Sequence, residues 1–306
     1  MNKKDFDVII IGGGAAGISA ALWCDELGLD ALLLESASEL GGQLLWTYNA
    51  IENYLGVKAE NGQKMRDIFV EQIGKRNFTL KLNSKVQNID LENKIIELQN
   101  GEELQAKFVI IATGVKRRKL DIEGEKQFQG KGIIKSGKRD GELVKNKTVA
   151  VIGGGDAAFE NALILSKFAS KVFLIHRSKN FKARSEFLTE VENNPKIEII
   201  TNTIVGKIIG DECIKNIELK NTQEKEIYNL PTNFILFRIG VEPNTNIFRG
   251  KIELDERGYI EINNQCKTSV ENVYAIGDVA NPLSPTISTA VGMGANAVKI
   301  ILAKSD

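Results

Sequence analysis

The sequence predicts an α/β fold made of two similar three-layer ββα units, and this prediction depends on two observations. A β-branched run that ends in glycines and leads into an alanine-rich helical stretch occurs twice, as FDVIIIGGG at 6–14 and KTVAVIGGG at 147–155. After each copy come alternating polar and apolar segments that are typical of β-meanders. A chain of 306 residues also suits two domains better than one.

The two copies agree at six positions with a constant offset of 141 residues. In a dinucleotide-binding turn the first glycine allows the tight turn, the second lets the backbone approach a pyrophosphate, and the third lets helix and strand pack closely. The pyrophosphate then lies at the N-terminus of the helix. Both copies have this strand-turn-helix-strand context, so we predict two Rossmann-like sites rather than glycine turns of another α/β fold. The matched positions are Gly12, Gly14, Gly17, Ala21, Gly28 and Glu35, and Gly153, Gly155, Ala158, Ala162, Ala169 and His176.

The last matched position indicates which nucleotide each site prefers. Glu35 ends the strand at 31–34, where a carboxylate can accept hydrogen bonds from ribose hydroxyls, which favours FAD or NAD. The second copy has His176-Arg177 instead, and a guanidinium can pair with a 2′-phosphate, with Lys182 close enough in sequence to assist. We interpret the second site as one for NADPH; the alternative is a solvated strand end. A flavin site beside a nicotinamide site implies electron transfer between the two.

The remaining elements follow from their patterns, and they place the second unit inside the first, with linkers near 114–116 and 241–246. The predicted elements are a hairpin or meander over 85–100 and 102–104, a buried strand at 108–114, a second meander over 198–209, 214–220 and 226–230, a buried strand at 234–237, a strand at 273–278 and a helix at 288–304.

Composition excludes several classes of function. Forty basic and forty acidic residues give zero formal charge, which argues against binding of the whole chain to nucleic acid or a membrane surface. His176 is the only histidine and the cysteines, Cys24, Cys213 and Cys266, form no CxxC, so we predict neither a metal site nor a disulfide framework. No apolar stretch approaches the roughly 20 residues of a membrane helix, and we expect a cytoplasmic protein.

Together these motifs resemble the low-molecular-weight thioredoxin reductase family of FAD- and NADPH-dependent flavoproteins, over essentially the whole chain. The resemblance implies an FAD-binding domain at 1–114 and 245–306, an inserted NADPH-binding domain at 115–244, and a homodimer. The motifs that carry it are GGGAAG at 12–17, Glu35, GGQL at 41–44, Ile51-Glu52-Asn53-Tyr54, ATG at 112–114, GGGDAA at 153–158, His176-Arg177 and IGDV at 276–279.

The resemblance also implies the cofactor-binding residues. Gln43 and Asn53 are expected along the flavin, Gly277-Asp278 beside the ribityl chain and pyrophosphate, and the final helix near Thr286-Ile287 with its N-terminus towards the ring. The predicted FAD residues are Gly12, Gly14, Ala15, Ala16, Gly17, Glu35, Gly42, Gln43, Asn53, Ala112, Thr113, Gly114, Gly277, Asp278, Thr286 and Ile287. The predicted NADPH residues are Gly153, Gly155, Asp156, Ala157, Ala158, His176, Arg177 and Lys182.

One departure from the family concerns the chemistry. Thioredoxin reductases carry a redox CxxC followed by Asp-Gly, whereas this chain has Ser136, Gly137, Lys138 and Arg139 followed by Asp140-Gly141. Without two thiols the flavin cannot pass its electrons to a bound disulfide by exchange, so no catalytic residue is predicted. Asp140 is interpreted as a turn residue, and the three cysteines as packing residues.

Positive charge is concentrated around the missing dithiol. Residues 116–139 contain nine basic and three acidic residues, a formal charge of +6, which favours an acidic partner such as ferredoxin or flavodoxin. Some members of the family that lack the dithiol reduce ferredoxin or flavodoxin, and this sequence is similar to them in lacking it. The alternative interpretation of the charge is a solvated lysine-rich loop. Trp46, Tyr48 and Tyr54 are candidates to cover the flavin ring, or else to pack in the core.

The preferred hypothesis is therefore an FAD-containing NADPH oxidoreductase without a dithiol, which passes electrons to an external carrier. Three alternatives stay open: a disulfide reductase that uses cysteines of its partner, an NAD(P)H oxidase, and a non-enzymatic flavin-binding protein.

Overall fold

The computed structural model describes residues 4–305; residues 1–3 and 306 of the predicted FAD domain lie outside the described residues. The chain forms two compact units, which we call the split unit (residues up to Lys116 and from Glu242) and the inserted unit (Arg117–Val241). The strands in residues 4–305 are β1 Lys4–Ile11, β2 Ala31–Leu34, β3 Thr79–Lys81, β4 Val86–Asp90, β5 Ile95–Leu98, β6 Glu103–Ile111, β7 Val115–Arg117, β8 Thr148–Ile152, β9 Lys171–Ile175, β10 Ile197–Ile200, β11 Thr203–Gly210, β12 Ile214–Asn221, β13 Ile227–Pro231, β14 Phe234–Phe237, β15 Val241–Pro243 and β16 Val273–Ala275.

Six α-helices occur in the same described range, and none of them is both long and apolar enough to cross a membrane. The α-helices are α1 Ala15–Glu26, α2 Gly62–Ile73, α3 Gly137–Asp140, α4 Asp156–Ser166, α5 Ser185–Glu192 and α6 Ile287–Ser305. Short 3₁₀ helices cover Gly42–Trp46, Gly141–Val144, Asn246–Phe248 and Gly277–Val279.

The split unit has a parallel sheet at its centre, with β1 between β2 and β6 and with β3 outside β2. The last part of β6 pairs in parallel with β16, whereas its first part pairs antiparallel with β5 of the meander. Because β1 is β-branched on both faces, it is covered on both sides. Val8 and Ile10 pack in the core under α1, α2 and α6, while Ile9 and Ile11 pack in the core that contains the meander.

The inserted unit repeats this arrangement with a smaller sheet. Its four strands are parallel, in the order β10-β9-β8-β14. Val149 and Val151 of β8 pack in the core with α4 and α5, and Ala150 and Ile152 pack in the core with the meander β11-β12-β13. Each unit is thus a three-layer Rossmann-like structure of helices, parallel sheet and small antiparallel sheet, and the predicted α/β fold class is confirmed.

Two element predictions were wrong in detail. The run at 198–209 is not one strand, because Asn202 has a φ of 51° and breaks it. The first part, β10, extends the parallel sheet beside β9, and only β11 belongs to the meander. Conversely, the predicted pieces at 102–104 and 108–114 belong to one strand, β6 Glu103–Ile111, since no turn residue separates them, and this strand ends before 112–114.

Candidate functional site

The split unit contains a cleft of about 780 Å³, within the range of cofactor pockets. It lies where the parallel strands β1, β6 and β16 end, which is the usual ligand-binding edge of an open α/β sheet. Fourteen of the sixteen residues predicted to hold FAD line this cleft. They are Gly12, Gly14, Ala15, Ala16, Glu35, Gly42, Gln43, Ala112, Thr113, Gly114, Gly277, Asp278, Thr286 and Ile287.

The glycine loop at one side of the cleft leaves its backbone accessible. Gly12 has a φ of +112°, and a Cβ there would lie 2.4 Å from the carbonyl oxygen of Ala112. Gly14 precedes α1 without any side chain capping the helix, and the space where its Cβ would be is open. The first amides of α1 can therefore bind an anion such as a pyrophosphate. Gly17 lies beneath the loop rather than in the cleft, and a Cβ there would be 1.8 Å from the carbonyl oxygen of Gly12.

Glu35 is fixed by hydrogen bonds at the end of β2. One carboxylate oxygen, Oε2, accepts the amide of Gly13 at 2.7 Å, and Oε1 accepts the amide of Ala37 at 2.7 Å and the hydroxyl of Ser36 at 3.0 Å. The residue is only 9% exposed. A carboxylate has about four acceptor positions, so capacity remains for a ribose hydroxyl. Its position beside the glycine loop suits an adenosine ribose.

Two side chains meet across the middle of the cleft. The amide Nε2 of Gln43 donates to Oδ2 of Asp278 at 2.8 Å, which joins two 3₁₀ helices. Burial raises the pKa of Asp278, and the hydrogen bond from Gln43 opposes that shift. Gly277 has a φ of +71° and would place a Cβ 2.9 Å from the Cβ of Ala16. The Gly-Asp turn is therefore held close to the first turn of α1.

The first turn of α6 also lines the cleft. Thr286 caps this helix, since its Oγ1 accepts the amide of Thr289 at 3.1 Å. The Ser19 hydroxyl of α1 donates to the carbonyl of Val291 at 2.7 Å, and Gly294 allows α6 to lie against Ala16. The cleft thus presents a backbone cradle, a fixed carboxylate, a polar pair and a second helix N-terminus. This set of groups fits a long dinucleotide such as FAD.

The structure places some predicted residues elsewhere. Asn53 is exposed and is not among the residues that line the cleft, because its loop closes through an Ile51–Ala59 bridge and Tyr54 packs edge-on against Phe69 at 5.8 Å. Trp46 does line the cleft.

Sequence reasoning missed a further part of the cleft wall, the segment that follows β3. Its Ser84 amide donates to the carbonyl of Glu35 at 2.9 Å, which brings it to the cleft beside the glutamate. No motif marks it, although the carboxyl ends of parallel strands share one edge, and this rule would have pointed to it. The unpredicted residues of the cleft include Ser84, Lys85, Val86, Asn244 and Asn246.

In the inserted unit the second glycine loop repeats the geometry of the first. Gly153 has a φ of +151°, and a Cβ there would be 2.2 Å from the carbonyl oxygen of Arg238. Gly155 precedes α4 without a side-chain cap and has open space at its Cβ position. Ala158 is fully buried beneath the loop, and Ala157 is exposed. The loop can therefore bind a pyrophosphate in the same way.

His176 lies against this second loop. A Cβ on Gly154 would be 2.4 Å from the ring atom Cε1, and the ring contacts that of Phe181 at a centroid distance of 5.3 Å. The ring Nε2 is 3.2 Å from the carbonyl oxygen of Asn180, to which it can donate. Burial lowers the pKa of His176, and the charge of Arg177 lowers it further, although the bond to Asn180 opposes this. These surroundings favour the neutral imidazole.

The cations predicted to bind a 2′-phosphate belong to the segment that begins at His176. Arg177 and Lys182 are both exposed, and the amide of Lys182 donates to the carbonyl of Gly154 at 2.8 Å. Asp156, at the start of α4, accepts the amide of Arg184 at 2.8 Å and its Nε at 2.9 Å. Arg184 was not predicted as a site residue, because its pairing with Asp156 depends on the path of the intervening loop.

The segment in place of the redox dithiol forms the short helix α3, so Asp140 is its last residue and not the turn residue that the sequence predicted. Two polar side chains hold this segment. Asp140 is buried, and its Oδ2 accepts the amides of Lys135 at 2.7 Å and Ser136 at 3.1 Å. Asn161 Oδ1 accepts the amide of Gly137 at 2.8 Å. Arg139 donates from Nε to Oδ1 of Asp140 at 2.6 Å. These contacts give Asp140 a structural task that needs no thiol partner.

The three cysteines are free thiols that differ in burial. Burial raises the pKa of Cys24 to about 12 and also raises the pKa of Cys266, so neither forms a thiolate readily. Cys213 is exposed in the inserted unit. Among residues 4–305 no group of three histidine, cysteine, aspartate or glutamate side chains could hold a metal ion.

The basic segment 116–139 is paired only in part. Lys116 lies 3.2 Å from Glu242, and Glu123 pairs with Lys207 at 2.7 Å. A second acid of this region, Glu125, is buried and accepts the amides of Leu120 and Asp121. Five exposed lysines have no ion pair with any residue in the described range: Lys119, Lys126, Lys131, Lys135 and Lys138.

Comparison with known proteins identifies the family. Residues 6–294 match the family described as pyridine nucleotide-disulphide oxidoreductase. The chain is 32% identical over 294 residues to a Clostridium pasteurianum protein described as "34.2 kDa protein in rubredoxin operon", covering 95% of this chain and 94% of that one. It is 35% identical to a component of alkyl hydroperoxide reductase from Staphylococcus epidermidis, covering 97% of this chain but only 58% of that protein.

A solved structure is also similar. Thioredoxin reductase from Lactococcus lactis, in its FR conformation, superposes with a TM-score of 0.85 at 30% identity, covering 97% of this chain and 98% of that one. The resemblance predicted from the motifs is confirmed. The chain belongs to the pyridine nucleotide-disulphide oxidoreductase family and has the fold of its low-molecular-weight thioredoxin reductase-like members.

Proposed function

We propose that the protein is an FAD-dependent NADPH oxidoreductase that passes electrons to an external carrier protein without a redox dithiol of its own. One observation carries the proposal. Two glycine loops of matching geometry have different side chains at the same position, Glu35 and His176, and the segment at 136–139 has no thiols. Membership of an oxidoreductase family supports the general class of reaction.

The cleft of the split unit would hold FAD. The amides at the start of α1 would bind the pyrophosphate, Glu35 the adenosine ribose, and the first turn of α6 would lie beside the ring. Bound FAD would supply the redox chemistry: it can accept a hydride from NADPH and release the electrons to an acceptor. The protein's side chains would position the reacting groups and shield them from water. Hydride transfer itself needs no general base from the protein.

The inserted unit would hold NADPH. Its glycine loop and the N-terminus of α4 suit the pyrophosphate, and Arg177 and Lys182 offer exposed positive charge beside it. A neutral imidazole at His176 adds no repulsion against a 2′-phosphate. A glutamate at this position, as in the split unit, would repel that phosphate.

The acceptor is proposed to be an acidic electron carrier such as ferredoxin or flavodoxin. The five exposed lysines of segment 116–139 would attract it, with an association rate that falls as salt is added. The similar protein from C. pasteurianum is described as lying in a rubredoxin operon, which also supports a carrier acceptor. We further propose a cytoplasmic homodimer, as is usual for the family that the sequence resembles.

A second candidate function is disulfide reduction with cysteines supplied by the partner. The similarity to thioredoxin reductase and to the alkyl hydroperoxide reductase component favours it. In that case the disulfide would have to reach the flavin directly, since Cys24 and Cys266 are buried with raised pKa values.

The deciding experiment is an anaerobic titration of the FAD-loaded protein with NADPH and, separately, NADH, followed by flavin absorbance. We expect one two-electron equivalent per flavin, whereas a redox-active dithiol would consume a second pair of electrons. Ferredoxin, flavodoxin and thioredoxin are then added in turn. Reoxidation by thioredoxin alone supports the disulfide candidate. Rapid peroxide formation from air without any carrier indicates an oxidase, and a flavin that neither nucleotide bleaches indicates a binding protein.

A further inference from the structure

An acidic residue lies where the proposed NADPH pyrophosphate would bind. Asp156 is the first residue of α4 and directly follows Gly155, whereas the equivalent position of the split unit, 141 residues earlier, is Ala15. A carboxylate in the first turn interacts favourably with the helix dipole, but it repels the phosphates of a dinucleotide at the same helix end. The second loop therefore carries an acid that the first loop does not have.

Arg184 forms a hydrogen bond to each carboxylate oxygen of Asp156. Its Nε donates to Oδ2 of Asp156 at 2.9 Å and its backbone amide donates to Oδ1 at 2.8 Å, so both carboxylate oxygens are engaged. The guanidinium also lies 4.8 Å from the ring centroid of Phe187, which limits its movement. The Arg184 and Asp156 side chains are 67% and 44% exposed, so the pair faces the solvent from which a nucleotide arrives.

We propose that Arg184 is a positioning residue for the dinucleotide, because it neutralises Asp156 and so sets the charge at the phosphate-binding end of α4. The inference rests on the proposed function, in that it assumes that the second loop binds NADPH. In this proposal Arg184 affects the binding of the pyrophosphate, which all nicotinamide dinucleotides share. The discrimination between NADPH and NADH is left to Arg177.

The two partners should then have opposite effects on affinity. Replacing Arg184 by glutamine leaves the Asp156 carboxylate facing the phosphates, which repels them. Replacing Asp156 by asparagine leaves the guanidinium for the phosphates, which attracts them. If the pair served only to hold the loop at 177–184 closed, both replacements would weaken binding.

The test is isothermal titration calorimetry of FAD-loaded protein with NADP⁺ and with NAD⁺, which need no turnover. We expect Arg184→Gln to raise the Kd of both nucleotides by about fivefold, the effect of one unit charge about 4 Å away in water. Asp156→Asn is expected to lower both Kd values, by about twofold or more. In the double variant Asp156→Asn/Arg184→Gln we expect both Kd values to return to within about twofold of the parent protein.

Two control variants sharpen the result. Arg184→Lys keeps the charge and is expected to stay near the parent Kd. Arg257→Gln removes an exposed arginine paired with Asp255 in the split unit, and it should change neither Kd. Should Arg184→Gln fail to fold, Asp156→Asn tests the proposal alone through the sign of its effect.

The outcomes separate this inference from the proposed function. Weaker binding by Asp156→Asn, or unchanged binding by folded Arg184→Gln, would overturn the role of Arg184 while leaving the NADPH site intact. A parent protein that binds neither NADP⁺ nor NAD⁺ would overturn the proposed function, and the inference with it.

Discussion

The glycine loops of the two units have nearly the same backbone. In both units the amide of the first loop glycine donates to the carbonyl of the last residue of the strand that follows the helix. The two bonds are Gly12 to Leu34 at 2.8 Å and Gly153 to Ile175 at 3.0 Å. The carbonyl of the middle glycine also accepts a hydrogen bond from an equivalent amide in both units. Gly13 accepts from Gly41, and Gly154 accepts from Lys182, each at 2.8 Å. The backbone thus provides the same anion-binding turn twice.

The side chains around the loops differ, and this difference separates general binding from selection. Glu35 is hydrogen-bonded into the first loop through the amide of Gly13, whereas His176 only packs its ring against Gly154. The first helix also approaches its loop more closely, because it carries Gly17 where the second has Ala158. The shared turn can bind any pyrophosphate, so the choice of nucleotide depends on these few side chains.

The largest effect should come from exchanging the third small residue of each loop. In Gly17→Ala the new Cβ would lie 1.8 Å from the carbonyl oxygen of Gly12, so helix and loop must separate. We expect a loss of about 3 kcal/mol or more in the free energy of unfolding, together with loss of bound FAD. Urea denaturation and the flavin content of the purified protein measure these quantities.

The matched exchange in the inserted unit is Ala158→Gly. It removes a buried methyl group and adds a helical glycine, which together should cost about 1–2 kcal/mol and leave FAD bound. If Gly17→Ala lowered the free energy of unfolding no more than Ala158→Gly does, the closer approach of helix and loop in the split unit would not contribute to stability.

The next effect concerns the acid of the first loop. Glu35→Gln replaces a carboxylate that accepts three hydrogen bonds, and its NH2 group must face either the Gly13 amide or the Ala37 amide, which then loses its acceptor. We expect the Kd of FAD for the apoprotein to rise about 10- to 100-fold, which corresponds to one charge-assisted hydrogen bond. Flavin fluorescence titration measures it. His176→Gln is the matched variant in the second loop and should leave FAD binding unchanged.

A smaller and more selective effect is expected at Arg177. Arg177→Gln should raise the Kd of NADP⁺ by about tenfold and leave that of NAD⁺ within about twofold, because only NADP⁺ carries the 2′-phosphate. Calorimetry with both nucleotides measures the ratio. Equal weakening of NADP⁺ and NAD⁺ binding would mean that Arg177 contacts a phosphate common to both nucleotides. The side chains around the second loop would then not explain a preference for NADP⁺.

The sequence was informative wherever function depends on a local pattern. The spacing of Gly12, Gly14 and Glu35 within one strand-turn-helix-strand unit is sufficient to place them together, since that unit has one geometry. Residues that reach a site from distant segments carry no such pattern. Ser84 and Arg184 lie at loop ends whose paths depend on packing elsewhere. Asn53 shows the opposite failure: it belongs to a matching motif, yet its loop closes on α2 and leaves it exposed.

The smallest effect is the titration of His176, and it tests the neutral imidazole of the second loop directly. As the chain has one histidine, its ring gives one Hε1 signal by NMR, which needs no assignment among several histidines. We expect a midpoint below the ordinary 6.5 in the folded protein, because burial and Arg177 disfavour the charged ring, and a midpoint near 6.5 in urea. The contribution of this residue to stability is then complete above pH 6.5 and is lost as the pH falls through the folded pKa. NADP⁺ should raise the midpoint more than NAD⁺ does, since its extra phosphate favours the imidazolium. A folded midpoint at or above 6.5 without nucleotide would mean that the ring is solvated rather than packed on Gly154.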